Sequence, residues 1–355
     1  MKRSLALALA ASALAVPAAS SAAPRDFVGI TSDETFQQGG DFRVENFRAM
    51  RRARIGLIRQ VFDWSRVETS RGVYDLTYLD EYVSTLAGQQ LSVMPVLTNA
   101  PEFYRRRGSQ RGATRPNNNA RMAAFARVLA ERYGPRGTLW RERPYLRKVP
   151  ITVWQVWNEP TLPVYWGPRP NARQYVGMLK SVGRAIKRVE PRAEIVTAGL
   201  PPSKLRGAVP LERFIKQMYS AGAARYFDTM AINAYAKNAK DLKRLLTRIR
   251  KLMNSRRDRR AKIWVTELGW ADKGPRHRFV VGRRGQAQRI ASSFKAVRKL
   301  RRRLKLRGIV YYSWRDGHPY APLFEDEWGL HTGLLDVNGR RKPAYRAFVR
   351  TARTL

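Results

Sequence analysis

Eight short runs rich in β-branched and aromatic residues recur along this chain, and the stretches between them have the period of amphipathic helices. The runs are FVGI (27–30), IGLIRQVF (55–62), LSVMPVL (91–97), VPITVWQVW (149–157), EIVTAGL (194–200), DTMAINAY (228–235), KIWVTEL (262–268) and GIVYYSW (308–314). Helix-like intervals such as ARMAAFARVLAERY and ARQYVGMLKSVGRAIKRV separate them. Near-continuous apolar strands alternating with helices imply a parallel sheet covered on both faces, because each crossover returns over the sheet. Eight such units predict an α/β fold of the closed (β/α)8 TIM-barrel type. An open doubly wound sheet is the competing arrangement, disfavoured because no glycine-rich phosphate turn follows a strand in the required place. Neither a linker nor a low-complexity tract interrupts the pattern, so a single domain is expected over 23–355.

The segment ahead of that domain has a different character. MKRSLALALAASALAVPAASSAAP carries Lys2 and Arg3, then an apolar run from Leu5 to Val16, then a Ser-x-Ala cut after Ala22. This is the layout of a cleaved secretory signal peptide over 1–22, and a secreted, extracellular protein is expected. No later segment approaches the roughly 20 uninterrupted apolar residues of a membrane span. The chain has no cysteine, so in an oxidising compartment its stability must come from core burial. A monomer is expected. Sixty-nine Lys and Arg stand against 27 Asp and Glu, a formal net charge of +42. The basic residues are spread along the chain and gather in helical stretches such as AVRKLRRRLKLR (296–307), where they read as a solvated helix face. No nucleic-acid module accompanies them, and no nucleic-acid partner is expected.

In a barrel of this kind, residues at the C-terminal ends of the strands line the functional face. VWQVWNEP (153–160) puts Asn158 and Glu159 where the fourth strand runs out of core. In IWVTELGW, Glu267 closes the seventh strand, and strict alternation puts it on the same side as Val265 and Ile263. Two carboxylates facing each other across a concave, aromatic-rich mouth suit acid-catalysed acetal cleavage, one protonating the departing oxygen and the other attacking or stabilising the cationic carbon. Either glutamate alone could be a helix N-terminal carboxylate; the pairing at matched strand ends is what points to chemistry.

WNEP at the fourth strand, TELGW at the seventh and YYSW at the eighth resemble the retaining glycoside hydrolases of clan A, a large barrel group with cellulase-like (family 5-like) and xylosidase-like members. GLIRQVFDWSRVETSRGVYDLTYLDEYV is similar to that clan's arginine-bearing second strand, and WGLHTGLLDVNGRRKPAYRAF to its usual ending. WNEPTLPVYWGPRPNARQY resembles glycoside hydrolase family 39. The resemblance implies Glu159 as acid/base, Glu267 as nucleophile and Asn158 as a partner of the sugar 2-hydroxyl. It implies Arg59 and Tyr235 as the residues that hold the nucleophile, and Trp314 as the floor of the cleaved-sugar subsite. Where many members of the clan carry histidine, this chain has Asn99 and Asn233, which can substitute as neutral hydrogen-bonding groups.

Trp166, Trp270, Trp328 and Tyr104 follow strands in loops, where they are candidate sugar-stacking platforms. The three histidines (His277, His318, His331) lack zinc-ligand spacing, and the acidic loop FEDEW (324–328), which could hold calcium, reads as a solvated surface. No Ser/His/Asp nucleophile elbow is present, and no cofactor or metal is expected. The substrate expected is a carbohydrate. An anionic glycan is suggested by Arg105, Arg106 and Arg107 after the third strand, Lys273, Arg276, His277 and Arg278 after the seventh, and Arg315 after the eighth. Two other readings remain at this stage: a transglycosylase of the same fold, and a non-catalytic carbohydrate- or cell-wall-binding barrel.

Overall fold

The computed structural model describes residues 23–105, 115–167, 169–317 and 326–355; the expected leader, Arg106, Arg107 and His318 lie outside them. Eight parallel strands close into one barrel. They are β1 (Val28–Thr31), β2 (Leu57–Asp63), β3 (Ser92–Thr98), β4 (Val153–Val156), β5 (Glu194–Val196), β6 (Thr229–Asn233), β7 (Lys262–Glu267) and β8 (Leu306–Tyr311). Each pairs with its neighbours in sequence, and β8 closes on β1 through Val28–Ile309, Gly29–Val310 and Ile30–Tyr311. All eight expected strands are present in the expected order.

One main helix follows each strand: α1 (Gly40–Arg52), α2 (Thr77–Gly88), α3 (Asn119–Tyr133), α4 (Ala172–Val189), α5 (Leu211–Ser220), α6 (Ala239–Ser255), α7 (Gly282–Leu300) and α8 (Pro343–Ala352). The starts of α3, α4 and α6 are set by asparagines. Asn118, Asn171 and Asn238 accept from the backbone N–H groups of Ala120, Gln174 and Asp241, satisfying donors that a helix start leaves unpaired.

Two apolar layers result from strand alternation. Outward residues such as Trp154, Val156, Ile263 and Val265 pack beneath the helices, whereas Leu57, Met94, Val153, Val196, Ala231, Trp264 and Val310 fill the barrel interior. Trp264 is large for that interior, and Gly308 makes the room: a Cβ there would stand 2.6 Å from the indole nitrogen. Arg307, entering β8, lies over the Trp264 ring at 4.5 Å and closes the bottom of the barrel, where it pairs with Asp26 and Glu194. Among the described residues, no helix is long and apolar enough to cross a membrane.

Candidate active site

The ends of β2, β4, β6 and β7 meet in one hydrogen-bonded array at the opposite mouth. Beyond Val156 the backbone turns sharply, with Trp157 and Glu159 at φ 73° and 46°. Such left-handed values cost a non-glycine residue on the order of 1–3 kcal/mol and persist only where the surroundings enforce them. Three bonds do so here: Trp157 N–H donates to the Leu97 carbonyl (3.0 Å), Glu159 N–H to the Gly199 carbonyl (3.1 Å), and the Trp157 indole to the Tyr165 carbonyl (2.8 Å). Glu159 is thereby delivered into a confined position with its residue 9% exposed. Its Oε1 accepts from Asn233 Nδ2 at 2.7 Å, and Asn233 is oriented in turn by the Thr266 hydroxyl, which donates to its Oδ1 (2.9 Å). A Cβ on Gly199 would sit 2.2 Å from that same Oδ1, so only glycine lets Asn233 reach Glu159.

Glu267 reaches the mouth by a route that alternation does not describe. Ile263 and Val265 face the helices, and Trp264 faces the barrel interior. Strict alternation, which puts residue 267 on the side of Val265, therefore aims it outward toward the helices and not into the mouth. A bulge intervenes: Ile232 pairs with Val265, but the next residue, Asn233, pairs with Glu267, so Thr266 is the extra residue. Bulges re-aim side chains in this way. Glu267 Oε1 then accepts from Arg59 Nη1 (2.8 Å) and Oε2 from the Tyr235 hydroxyl (2.9 Å). Arg59 also donates to Asn158 Oδ1 (2.9 Å) and Gln155 Oε1 (2.7 Å), tying β2 to β4 and β7 through the barrel interior. The Asn158 carbonyl also takes a longer bond from Asn233 (3.3 Å), so its amide N–H groups are left for another acceptor.

The two glutamates are unequal. Glu159 is pushed up to about 8, first by burial and second by the charge of Glu267, with the Asn233 bond and Arg59 opposing. Glu267 has a guanidinium and a phenol as donors. A third carboxylate, Asp33, follows β1 and was not singled out in the sequence. Solvent reaches it, yet it stands in a recess walled by protein, and this crowding raises its pKa, with Arg59 opposing and Glu267 adding. Its only sequence signal is its place immediately after a strand end.

The eighth-strand aromatic at this recess is Tyr312, not Trp314. Tyr312 is half-buried, and burial together with the charges of Asp33 and Glu267 raises its pKa. Trp314 is 0% exposed, with its indole donating to Asn46 on α1 (2.9 Å). The strand has ended at Tyr311, and past that point alternation no longer says which way a side chain points. Trp166 and Trp270 are likewise corrected as sugar platforms. Trp166 packs edge-on to Trp157 and Tyr175, and the Trp270 indole donates to the Ala236 carbonyl (2.9 Å), both rings being buried. Loop aromatics here anchor loops to one another. Tyr104 is one of them, buried against Trp64 with its hydroxyl on Glu68 (3.0 Å). Asn99, at φ 59° after β3, donates to Asp63 (2.9 Å).

Trp328 does reach the opening. It stacks on His277 (ring centroids 5.1 Å apart, 12° between planes) and meets Tyr235 and Phe279, in the wall of a cavity of about 910 Å³ that includes Glu159. Arg105 is turned back onto the Ala100 carbonyl (2.8 Å). Of the acidic loop, Phe324 and Glu325 lie outside the described residues, and Asp326 is paired with His331 (2.6 Å). Among the described residues, no cluster of His, Asp or Glu is arranged to hold a metal.

No protein-family model matches the chain, and no curated protein matches it. Solved structures do. A family 39 glycoside hydrolase from the gut symbiont Bacteroides cellulosilyticus WH2 is 21% identical with a TM-score of 0.68, over 93% of this chain and 64% of that one. The family 39 enzyme from Xanthomonas axonopodis pv. citri is 17% identical with a TM-score of 0.69, over 92% and 67%. Xylanase 10B from Thermotoga petrophila RKU-1, in complex with xylobiose, is 14% identical with a TM-score of 0.61, over 93% and 94%. The chain thus spans about two thirds of the length of the family 39 structures. It shares the (β/α)8 barrel fold with all three.

Proposed function

We propose that this protein is a secreted glycoside hydrolase that cleaves O-glycosidic bonds of oligo- or polysaccharides with net retention. One observation carries the reading: of two carboxyls at matched strand ends, Glu159 is held toward the protonated form, while Glu267 is bonded through both oxygens to Arg59 and Tyr235. Environments that push paired carboxyls apart assign acid and base roles. The glycosidase barrels that the fold resembles support the same class of reaction.

In the first step Glu267 attacks the anomeric carbon as the glycosidic bond breaks, and the departing oxygen takes the Glu159 proton. A glycosyl ester and a free alcohol result. Esterification removes the Glu267 charge, the second cause of the raised Glu159 pKa, while burial, the larger cause, persists. Glu159 is now a moderately strong base. It takes a proton from water, the water oxygen attacks the anomeric carbon, and the Glu267 carboxylate is released. Asn158, its carbonyl fixed by Arg59, turns its amide N–H groups toward the sugar 2-hydroxyl.

Aryl glycosides test the assignment. Glu267→Gly should abolish turnover, with added azide restoring formation of the inverted glycosyl azide. Glu159→Ala should spare substrates whose leaving group needs no proton. Inversion of the product anomer by NMR, or equal loss in both variants with no azide rescue, overturns the scheme.

A further inference from the structure

Charge is distributed unevenly around Glu159. The innermost recess holds one cation, Arg59, already paired with Glu267, beside a protonated Glu159 and the Asp33 carboxyl, so no positive charge is left there for an anionic group on the sugar being cleaved. The cavity of about 910 Å³ has Glu159 and Tyr235 in its wall and extends from them along the loops after β5, β7 and β8, which add Lys204, Arg276 and Arg278 together with Trp328 and His277. Among the described residues, none of those three cations forms an ion pair. On the adjacent loop, Asp326 is engaged by His331, and Glu327 raises the Tyr165 pKa only as a lesser contributor after burial and the two catalytic glutamates.

This cavity continues into a second groove of about 440 Å³, which shares Lys204, Tyr235, Arg278 and Phe279 and adds Lys237, Arg244 and Arg248. The acid in its wall, Asp241, is already paired with Arg244, and Arg248 is paired with Glu212 (3.2 Å). Lys204, Arg276 and Arg278, with Lys237 further along, therefore form a continuous cationic track leading away from the acid/base. Because Glu159 protonates the departing oxygen, the space beyond it is where the leaving group lies; this step rests on the function proposed above.

We propose that this track binds the leaving-group side of a carboxylate-bearing glycan: an uncharged sugar occupies the inner recess and uronic-acid units follow, with carboxylates on Lys204, Arg276 and Arg278 and a ring against Trp328 or His277. Guanidinium groups suit carboxylates through paired N–H donors, and a flat indole suits an apolar sugar face.

Binding tests the subsite and turnover tests the chemistry, so each can fail alone. Hydrolysis of a neutral aryl glycoside reports the chemistry. The subsite is read by isothermal titration of Glu267→Gln with oligomers of hyaluronan, unsulfated chondroitin and heparosan, which alternate uncharged and uronic-acid units and here begin at the uncharged sugar, each beside its carboxyl-reduced counterpart, at about 20 mM and about 0.5 M salt. At least one acidic oligomer should bind about tenfold or more tightly than its reduced form at low salt. Adding Lys204→Ser, Arg276→Ser and Arg278→Ser to that variant should remove the difference. The same number of charges removed from the far face (Lys299→Ser, Arg302→Ser, Arg303→Ser) should leave it in place. Equal binding of acidic and reduced forms in all three pairs overturns the proposal, as does an equal loss in the far-face variant, which would assign the effect to overall charge.

Discussion

The two ends of the barrel each contain a confined arginine among carboxylates, and they balance it differently. At the bottom, Arg307 is matched by Asp26 (3.1 and 2.5 Å) and Glu194 (3.0 Å), while Thr229 donates to the second Glu194 oxygen (2.5 Å) and Trp264 underlies the cation. Every strong acceptor there has a donor. At the mouth, Arg59 pairs with Glu267 alone among three carboxyls, and both other acids are displaced upward in pKa. The first arrangement is a plug. The second leaves a proton that is held but transferable, which is what a general acid requires.

Replacing each arginine by methionine is the most direct way to break this comparison. Arg59→Met should lower kcat/KM by about 10²–10³, the scale of one lost donor at a charge-stabilising site. Its melting temperature at pH 5, where surplus carboxyls can take protons, should fall less than that of the Arg307 variant, the loss coming from the Gln155 and Asn158 carbonyls left without their donor. Arg307→Met should do the reverse, costing about 3–5 kcal/mol of stability by leaving two confined carboxylates without their cation, with kcat of the folded protein unchanged. If calorimetry and kinetics showed the same profile for both variants, the distinction between plug and proton store would be lost.

A smaller effect sharpens the mouth's half of the comparison. A carboxyl whose folded pKa stands above its unfolded value costs stability progressively as pH rises between the two, here from 4.5 to about 8. Glu159→Gln removes that cost, and denaturant titrations should find the variant more stable than the parent by on the order of 1–3 kcal/mol at pH 8. The two should converge near pH 4. A variant less stable at pH 8 would mean that the native fold favours the Glu159 charge. On the acid role proposed for Glu159, the same raised value predicts a basic limb in the pH profile of kcat/KM, activity falling as Glu159 loses its proton. Smallest is Trp314→Phe, expected to cost about 1 kcal/mol because the Asn46 side-chain oxygen keeps only a long contact from Arg315 (3.5 Å), while leaving KM unchanged. A large rise in KM would return Trp314 to the subsite.

The eight strands were legible because burial on both faces leaves long apolar runs that no solvated segment imitates. Glu159, Glu267, Tyr235, Asn158 and Asn233 were legible as occupants of strand ends, and Arg59, inside β2, through the resemblance to the clan's arginine-bearing second strand. Direction was harder to read. The bulge at Thr266 has no compositional mark, and aromatic identity alone could not choose between Tyr312 and Trp314 once β8 had ended. Asp33 stands on a short helix after a four-residue strand, where no periodicity develops. Gly199 reads as an ordinary turn glycine until the Asn233 amide is placed against it.

The bulge in β7 makes the aim of Glu267 a matter of parity. Substitution at 267 changes which group is presented but not where it points, because direction is set by how the residues after Val265 pair with β6. Deleting Thr266 would leave Glu267 aimed inward, next in alternation after Val265, whereas a residue inserted between Ile232 and Asn233 would give Thr266 a partner, restore an even ladder and turn the carboxylate toward the helices, with the amino acid at that position unchanged. Point mutation can therefore sample this site's chemistry freely while its geometry is reached only by insertion or deletion.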